Sequence, residues 1–281
     1  MIPPVASRFV AGETVPEALE HARRTNQAGV GVILNLLGEH YEDRQDADAD
    51  AAAYERLCAD LADAGLRACV SVKPTQLGLS VSETAYRENY RRAAAAAADA
   101  GVFLWTDMED ATTTDATLDA VCALAPTFPG RLGVCLQANL RRTPADVARL
   151  ADRPVAVRLV KGAYDEAPGI AHQDRAAVDA AYRDLLDRLF AQGTDTAVGS
   201  HDPAMLDYGL ARAAETGADV EVQMLMGVRE REQERLASEG VDVWQYAPYG
   251  TEWAAYFYRR VRERRENMLF AARAVAGSVL G

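Results

Sequence analysis

Eight short apolar, β-branched runs recur along this chain, and a stretch of helical periodicity separates nearly every one from the next. The runs lie near Gly31–Leu36, Arg67–Val72, Val102–Asp107, Leu132–Leu136, Val155–Val160, Thr196–Gly199, Asp219–Met224 and Val241–Gln245. Helical patterns occupy Ala49–Ala64, Glu83–Ala100, Thr113–Leu124, Pro144–Leu150, Gln173–Gln192, Pro203–Thr216, Arg229–Ser238 and Thr251–Arg265. Strict alternation with nearly continuous apolar strands implies parallel strands covered by helices, an α/β protein. Eight units in 281 residues favour a closed (β/α)8 barrel of the TIM type over an open doubly wound sheet. The open sheet is further disfavoured because the glycines at Gly29 and Gly31 lead into a strand, whereas a dinucleotide fingerprint leaves one. Val15–Ala28 is then an extra N-terminal helix and Glu266–Gly281 a C-terminal helical extension.

The glycines and prolines are scattered as single turn signals, so residues 1–281 read as one barrel domain without a linker. A net charge of −12 and the lack of a clustered basic face argue against a nucleic-acid partner. Lys73 and Lys161 are the two lysines; the other 28 of the 30 basic residues are arginines. Such an acidic, arginine-rich balance suits a salt-rich cytoplasm or a GC-rich genome. Cys58, Cys69, Cys122 and Cys135 show no CxxC spacing and read as buried free thiols. No apolar run reaches 18 residues and the N-terminus lacks a signal-peptide pattern, which predicts a soluble cytoplasmic protein. The oligomeric state is left open.

In a barrel of this type the site forms where strands end. Glu39 follows the first run, Lys73 ends the second, Asp107 and Glu109 follow the third, and Gln137 ends the fourth. Arg158 and Lys161 flank the end of the fifth, His201 follows the sixth and Tyr246 the eighth. Plainer readings exist for each: a solvated Lys73, an Asp107 in a structural ion pair, a His201 beside the N-cap Asp202. Gln137 is harder to dismiss, because an amide inside an apolar strand needs polar partners. In YFYRRVRERREN, Glu263 lies four residues from Arg259 and three from Arg260, so on a helix it can brace either. Spacing alone favours a solvated face; a position just after the last strand favours a guanidinium clamp for a carboxylate.

The stretches AGETVPEALEHARRTNQAG, NLLGE, SVKPT, TDMED, VRLVKGAY, SHDP, EVQMLMG, YAPYG and YRRVRERREN occur in the order seen in the proline dehydrogenase family. The chain resembles that family from about Gly12 to Asn267, most closely its short monofunctional bacterial or archaeal members; VRLVKGAY and the terminal RRxxE are the specific parts. The resemblance implies a distorted (β/α)8 barrel that binds FAD and oxidises L-proline to 1-pyrroline-5-carboxylate, the first step of proline catabolism to glutamate. Hydride would pass from proline C5 to flavin N5, and electrons onward to a quinone at the membrane surface, which implies peripheral contact with the inner face of the cell membrane. It implies that Arg259 and Arg260 hold the substrate carboxylate with Glu263 in support, while Lys73, Asp107, Tyr246, Tyr164, Ala163 and Leu225 line the pocket. Gln137, Arg158, Val160, Gly162, Ser200 and His201 match flavin-contacting positions; Lys161 reads as a cofactor or structural contact, and Glu39 as a partner within the site. No metal is expected.

Two departures stand out: Asp165 where some members carry an aromatic, and Asn139 where a tyrosine is common, both touching the outer cofactor contacts. A flavin dehydrogenase of hydroxyproline is an alternative, since Tyr246 could exclude or bind a C4 hydroxyl. A Schiff-base lyase with Lys73 or Lys161 as nucleophile is a rival from another reaction class. A non-catalytic binding barrel fits poorly with so many ionisable groups at strand ends.

Overall fold

Parallel pairing runs continuously around the sheet, from β1 (Gly31–Leu36) through β2 (Ala68–Val72), β3 (Leu104–Thr106), β4 (Leu132–Gln137), β5 (Val155–Val160), β6 (Thr196–Gly199) and β7 (Val220–Leu225) to β8 (Asp242–Tyr249), which pairs back with β1. The barrel is therefore closed, as the alternation predicts. This computed structural model describes residues 6–254 and 256–258. Around the barrel lie α1 (Val15–Gln27), α2 (Arg44–Ala64), α3 (Glu83–Asp99), α4 (Thr114–Leu124), α5 (Thr143–Leu150), α6 (Arg175–Ala191), α7 (Pro203–Thr216) and α8 (Glu230–Ser238). The extra N-terminal helix is α1, packed on β1 and β8. The C-terminal extension lies outside the described residues.

Local chemistry explains where the helices begin. Asp43, Ser82, Asp174 and Asp202 each accept a backbone N–H of the first turn of α2, α3, α6 and α7, satisfying a donor that the helix cannot. The Asp43 cap starts α2 at Arg44, five residues before the periodicity alone suggests, and takes the Asp/Ala run into the helix. β8 likewise outruns its predicted end at Gln245, because Asn35 and Leu36 of β1 continue the pairing to Pro248 and Tyr249. Tyr246 thus sits inside β8, with its side chain toward the barrel, instead of beyond the strand.

Two indoles occupy the barrel interior, and glycines make room for them. A Cβ on Gly133 would lie 2.5 Å from the Trp105 ring, and one on Gly31 would lie 2.5 Å from Trp244. Leucines, valines and tyrosines from the outer strand faces and the helices form the main core between the two layers. A smaller apolar cluster joins Phe9 and Val10 of the N-terminal segment to Leu37 and Tyr256, with Trp253 and Phe257 against it. All four cysteines are buried free thiols, and burial pushes Cys58 up to about 12, so thiolate chemistry at Cys58 is suppressed.

Candidate active site

The ends of β2, β3, β5 and β8 converge on one carboxylate. Asp107, just past β3, accepts from Lys73 Nζ at 2.7 Å, Tyr246 OH at 2.6 Å, Ser71 Oγ at 2.6 Å and Arg158 Nη2 at 2.5 Å. Burial by itself would raise this carboxyl, but the Lys73 and Arg158 charges and the hydrogen bonds from Lys73 and Ser71 outweigh it and hold Asp107 well below the usual carboxylate range. Lys73 shows the reciprocal effect: burial disfavours its charge, yet Asp107, Tyr246 and Glu109 keep it an ammonium far above its ordinary value. Arg158, 5% exposed, also donates to Gln223 Oε1 at 3.1 Å and lies over the faces of Trp105 and Tyr246 at 5.2 and 5.6 Å. Burial, with the Asp107 charge added, raises the Tyr246 phenol, so it stays a neutral donor.

A second layer of carboxylate stands behind Lys73. Glu109 is fully buried and accepts Thr75 N at 2.8 Å and Thr75 Oγ1 at 2.6 Å; burial raises its carboxyl, with Lys73 opposing. Its polar atoms lie within 4.8 Å of those of Glu39 and His40. Tyr164 belongs to the same neighbourhood: burial raises its phenol, the Lys73 charge opposes, and Glu109 and Glu39 add to the rise.

Around the rim, Gln137 finds the partners that its burial demands. Its Nε2 donates to Glu109 O at 2.8 Å and its Oε1 accepts from Ala163 N at 3.4 Å. Gly162 has φ +116°, a left-handed backbone region, and a Cβ there would lie 2.1 Å from Asn139 Oδ1, itself buried with no hydrogen-bond partner. Lys161 Nζ donates to Asp179 and, at 2.6 Å, to Asp202, which Arg175 also reaches at 3.2 Å. Ser200 Oγ accepts Asp202 N at 3.1 Å, and His201 Nε2 accepts Leu225 N at 2.7 Å. Val160 is half-buried at the end of β5, and Ala163 is exposed beyond it.

A description of the family "Proline dehydrogenase" matches residues 18–273 of the chain. The chain belongs to the proline dehydrogenase family. Family membership makes it an oxidoreductase that acts on a CH–NH group. It is 36% identical to "Proline dehydrogenase" of Deinococcus radiodurans over 95% of this chain and 88% of that protein. It is 32% identical to "Proline dehydrogenase 1" of Bacillus subtilis (strain 168) over 96% of this chain and 90% of that protein. Among solved structures, proline utilization A from Bdellovibrio bacteriovorus, inactivated by N-propargylglycine, superposes with a TM-score of 0.85 at 26% identity. That match covers 91% of this chain and 32% of the larger protein, so the family member described here spans about a third of its length.

Of the residues singled out from sequence, Lys73, Asp107, Tyr246 and Arg158 meet directly in this family member. Glu39 lies beside Glu109, and Tyr164 feels the charges of Lys73, Glu109, Glu39 and Asp107, while Gln137, Val160, Lys161, Gly162, Ala163, Ser200, His201 and Leu225 lie at or just past the ends of β4–β7. Arg259, Arg260 and Glu263 lie outside the described residues. Sequence reading missed Ser71 and Gln223, which complete the polar cage of Asp107 and Arg158. Strand period carried the signal: Ser71 lies two residues before Lys73 and Gln223 two before Leu225, on the same inward face.

Proposed function

We propose that this single barrel domain, residues 1–281, oxidises L-proline to 1-pyrroline-5-carboxylate with FAD and a quinone as electron acceptor. What carries the reading is the Lys73–Asp107–Tyr246–Arg158 constellation at the strand ends of a chain in this family. The residues toward β4–β7 suit a flavin dinucleotide. An amide (Gln137), a guanidinium (Arg158), an ammonium (Lys161) and the Ser200–His201 pair are donors matched to ring carbonyls and phosphate oxygens, and Gly162 is bare where any side chain would collide with Asn139. The orphaned Asn139 Oδ1 marks a place in this rim where the protein's own hydrogen bonding is incomplete. The chemistry the flavin supplies when bound is acceptance at N5 of hydride from proline C5.

The protein's part is placement. Arg259 and Arg260, supported by Glu263, would hold the substrate carboxylate, and Glu39 would join the polar wall. Tyr246, Tyr164, Ala163 and Leu225 would enclose the ring, and Lys73 and Asp107 would fix the charge pattern beneath it. Asp107 keeps Lys73 protonated, so Lys73 is neither a base for the substrate amine nor a free amine poised for Schiff-base formation. Lys161, held between Asp179 and Asp202, is equally engaged. The amine proton then leaves to water before hydride is removed from C5. Among the described residues no helix is long and apolar enough to cross a membrane, and a quinone acceptor would require contact with the bilayer surface from the cytoplasmic side.

An anaerobic absorbance spectrum recorded before and after L-proline tests this. A flavin band that bleaches with proline is expected. A flavin band that responds to hydroxyproline and not to proline would move the substrate to that relative. A colourless protein that takes up no FAD would overturn the redox reading.

A further inference from the structure

A chain of side-chain amides runs from the surface helix α1 through β8 and α8 to the end of β7. Gln233, on α8 and 1% exposed, donates from Nε2 to two backbone carbonyls, Leu225 O at 3.0 Å and Val228 O at 2.9 Å. Carbonyls only accept, so they fix which way this amide points, and its Oε1 must take a proton from elsewhere. It does so from Gln245 Nε2 at 3.0 Å. Gln245, 5% exposed and on the outward face of β8, is thereby oriented too, and its Oε1 faces His21 Nε2 at 2.7 Å. The imidazole therefore carries its proton on Nε2. Every link has one possible polarity, and all of it is set by the two carbonyls at the β7 exit. The outer end opens on a polar cavity of about 230 Å³ lined by His21, Arg24, Thr25 and Glu230.

The inner end is the consequential one. Leu225 closes β7, and side chains hold both its backbone polar groups: His201 Nε2 accepts its N–H and Gln233 donates to its carbonyl. Its main chain is thus pinned between the β6 exit and α8, and the depth of the Leu225 side chain follows from that pinning. We propose that Gln233 is a positioning residue for the substrate pocket: by fixing the β7 exit it sets how far Leu225 reaches toward the substrate ring. This rests on the reading above, in which Leu225 is a wall of that pocket. Gln233 touches neither substrate nor cofactor; it acts through Leu225.

The experiment uses the flavin-loaded full chain in four forms: wild type, Gln233→Met, Leu225→Ala and the double variant. Methionine has a similar volume and no amide donors, so it strips the side-chain donor from Val228 O and leaves Leu225 O with only the turn bond from Val228 N at 3.3 Å; KM for L-proline is expected to rise roughly tenfold while kcat stays within about twofold. The ratio of flavin to protein absorbance should not change. Leu225→Ala should raise KM comparably, and the double variant should add nothing further, because one residue acts through the other. Hydrogen exchange at residues 225–228 should speed up in Gln233→Met. KM rises that multiply in the double variant, unchanged kinetics, or a loss of flavin with KM unmoved would each overturn the proposal. If Gln233→Met does not fold, Gln245→Met, one link further out, should show the same KM-only pattern at roughly threefold, and its absence would count against the proposal equally. If the wild type is not reduced by proline, the reading of the site fails, yet exchange at residues 225–228 still decides whether Gln233 holds the β7 exit: acceleration supports that hold and unchanged exchange removes it.

Discussion

Asp107 gathers Lys73, Arg158, Ser71 and Tyr246 around one charge, so a change there tests the whole constellation. Asp107→Asn preserves shape and leaves two buried cations without their anion, which should destabilise the fold by about 3–5 kcal/mol. Loss of register among the pocket groups should lower kcat/KM for proline by about two orders of magnitude. The pH dependence has a definite sign. The Asp107 carboxyl is depressed in the folded state, so its stabilisation is fully present above the unfolded value of about 3.9 and is lost as pH falls toward the folded one. Thermal melts of wild type and Asp107→Asn should therefore be well separated near neutral pH and converge below about pH 4; a constant gap across that range would show that the carboxylate charge is not what stabilises the site. Much of this centre was legible in the sequence, because exit residues in an alternating chain have few places to point. Ser71 and Gln223 were hidden only by looking like ordinary strand residues. Gln233 was hidden more deeply: it sits in the charged stretch EREQERL, and its burial follows from sharing a helix face with Leu236, three residues on.

At the scale of elements, the connection after β5 carries Gly162, Ala163 and Tyr164 and is tied down at several points. Glu166 Oε1 accepts Ala111 N at 2.6 Å, and Glu166 O accepts Gln173 Nε2 at 3.0 Å. Leu140 and Ala171 form an antiparallel bridge, with Arg141 N donating to Ile170 O at 2.9 Å and His172 N to Asn139 O at 2.8 Å. The β5 exit is thus braced against the β3 and β4 exits, across the mouth that holds Asp107. Glu166→Ala removes the tie to β3 and should destabilise by about 1 kcal/mol, with faster exchange at residues 111–113 and 162–166. Glu166→Gln keeps an acceptor and should stay close to wild type; equal loss in both variants would assign the effect to charge instead of the hydrogen bond. Strand order and helix positions were readable from periodicity, but this brace was not. Its bonds join backbone groups across a loop with no repeating pattern, and nothing in PGIAHQ announces which carbonyl meets which N–H. The ends of α2 and β8 slipped for a related reason, since a cap and a neighbouring strand, not hydrophobic period, decide where they stop.

For the whole molecule the net charge of −12 raises a question of which electrostatic effect wins. Arginines are woven among the acids: Arg142 pairs with Asp115 at 2.5 Å and Asp146 at 2.9 Å, Arg44 with Asp48 at 2.7 Å and Glu88 at 2.6 Å, and Arg235 with Glu232 at 2.8 Å and Glu239 at 2.6 Å. Salt weakens these attractions and also screens the repulsion among the excess carboxylates, and the two act over different distances. The pairs lie at contact, inside the screening length of about 3 Å at 1 M, and exposed ones contribute only about 0–1 kcal/mol each. The unpaired acids repel over longer separations, which a screening length of about 10 Å at 0.1 M already curtails. Relief of repulsion should therefore dominate, and early. The melting temperature is expected to rise as sodium chloride increases to about 0.2 M and to level off beyond it, because by then the Debye length has fallen below about 8 Å. A fall from the first addition of salt would mean that the arginine pairs outweigh the excess charge. A rise that continues undiminished to molar salt could not come from screening, and would instead tie the acidic surface to a hydrated-ion requirement of a salt-rich cytoplasm.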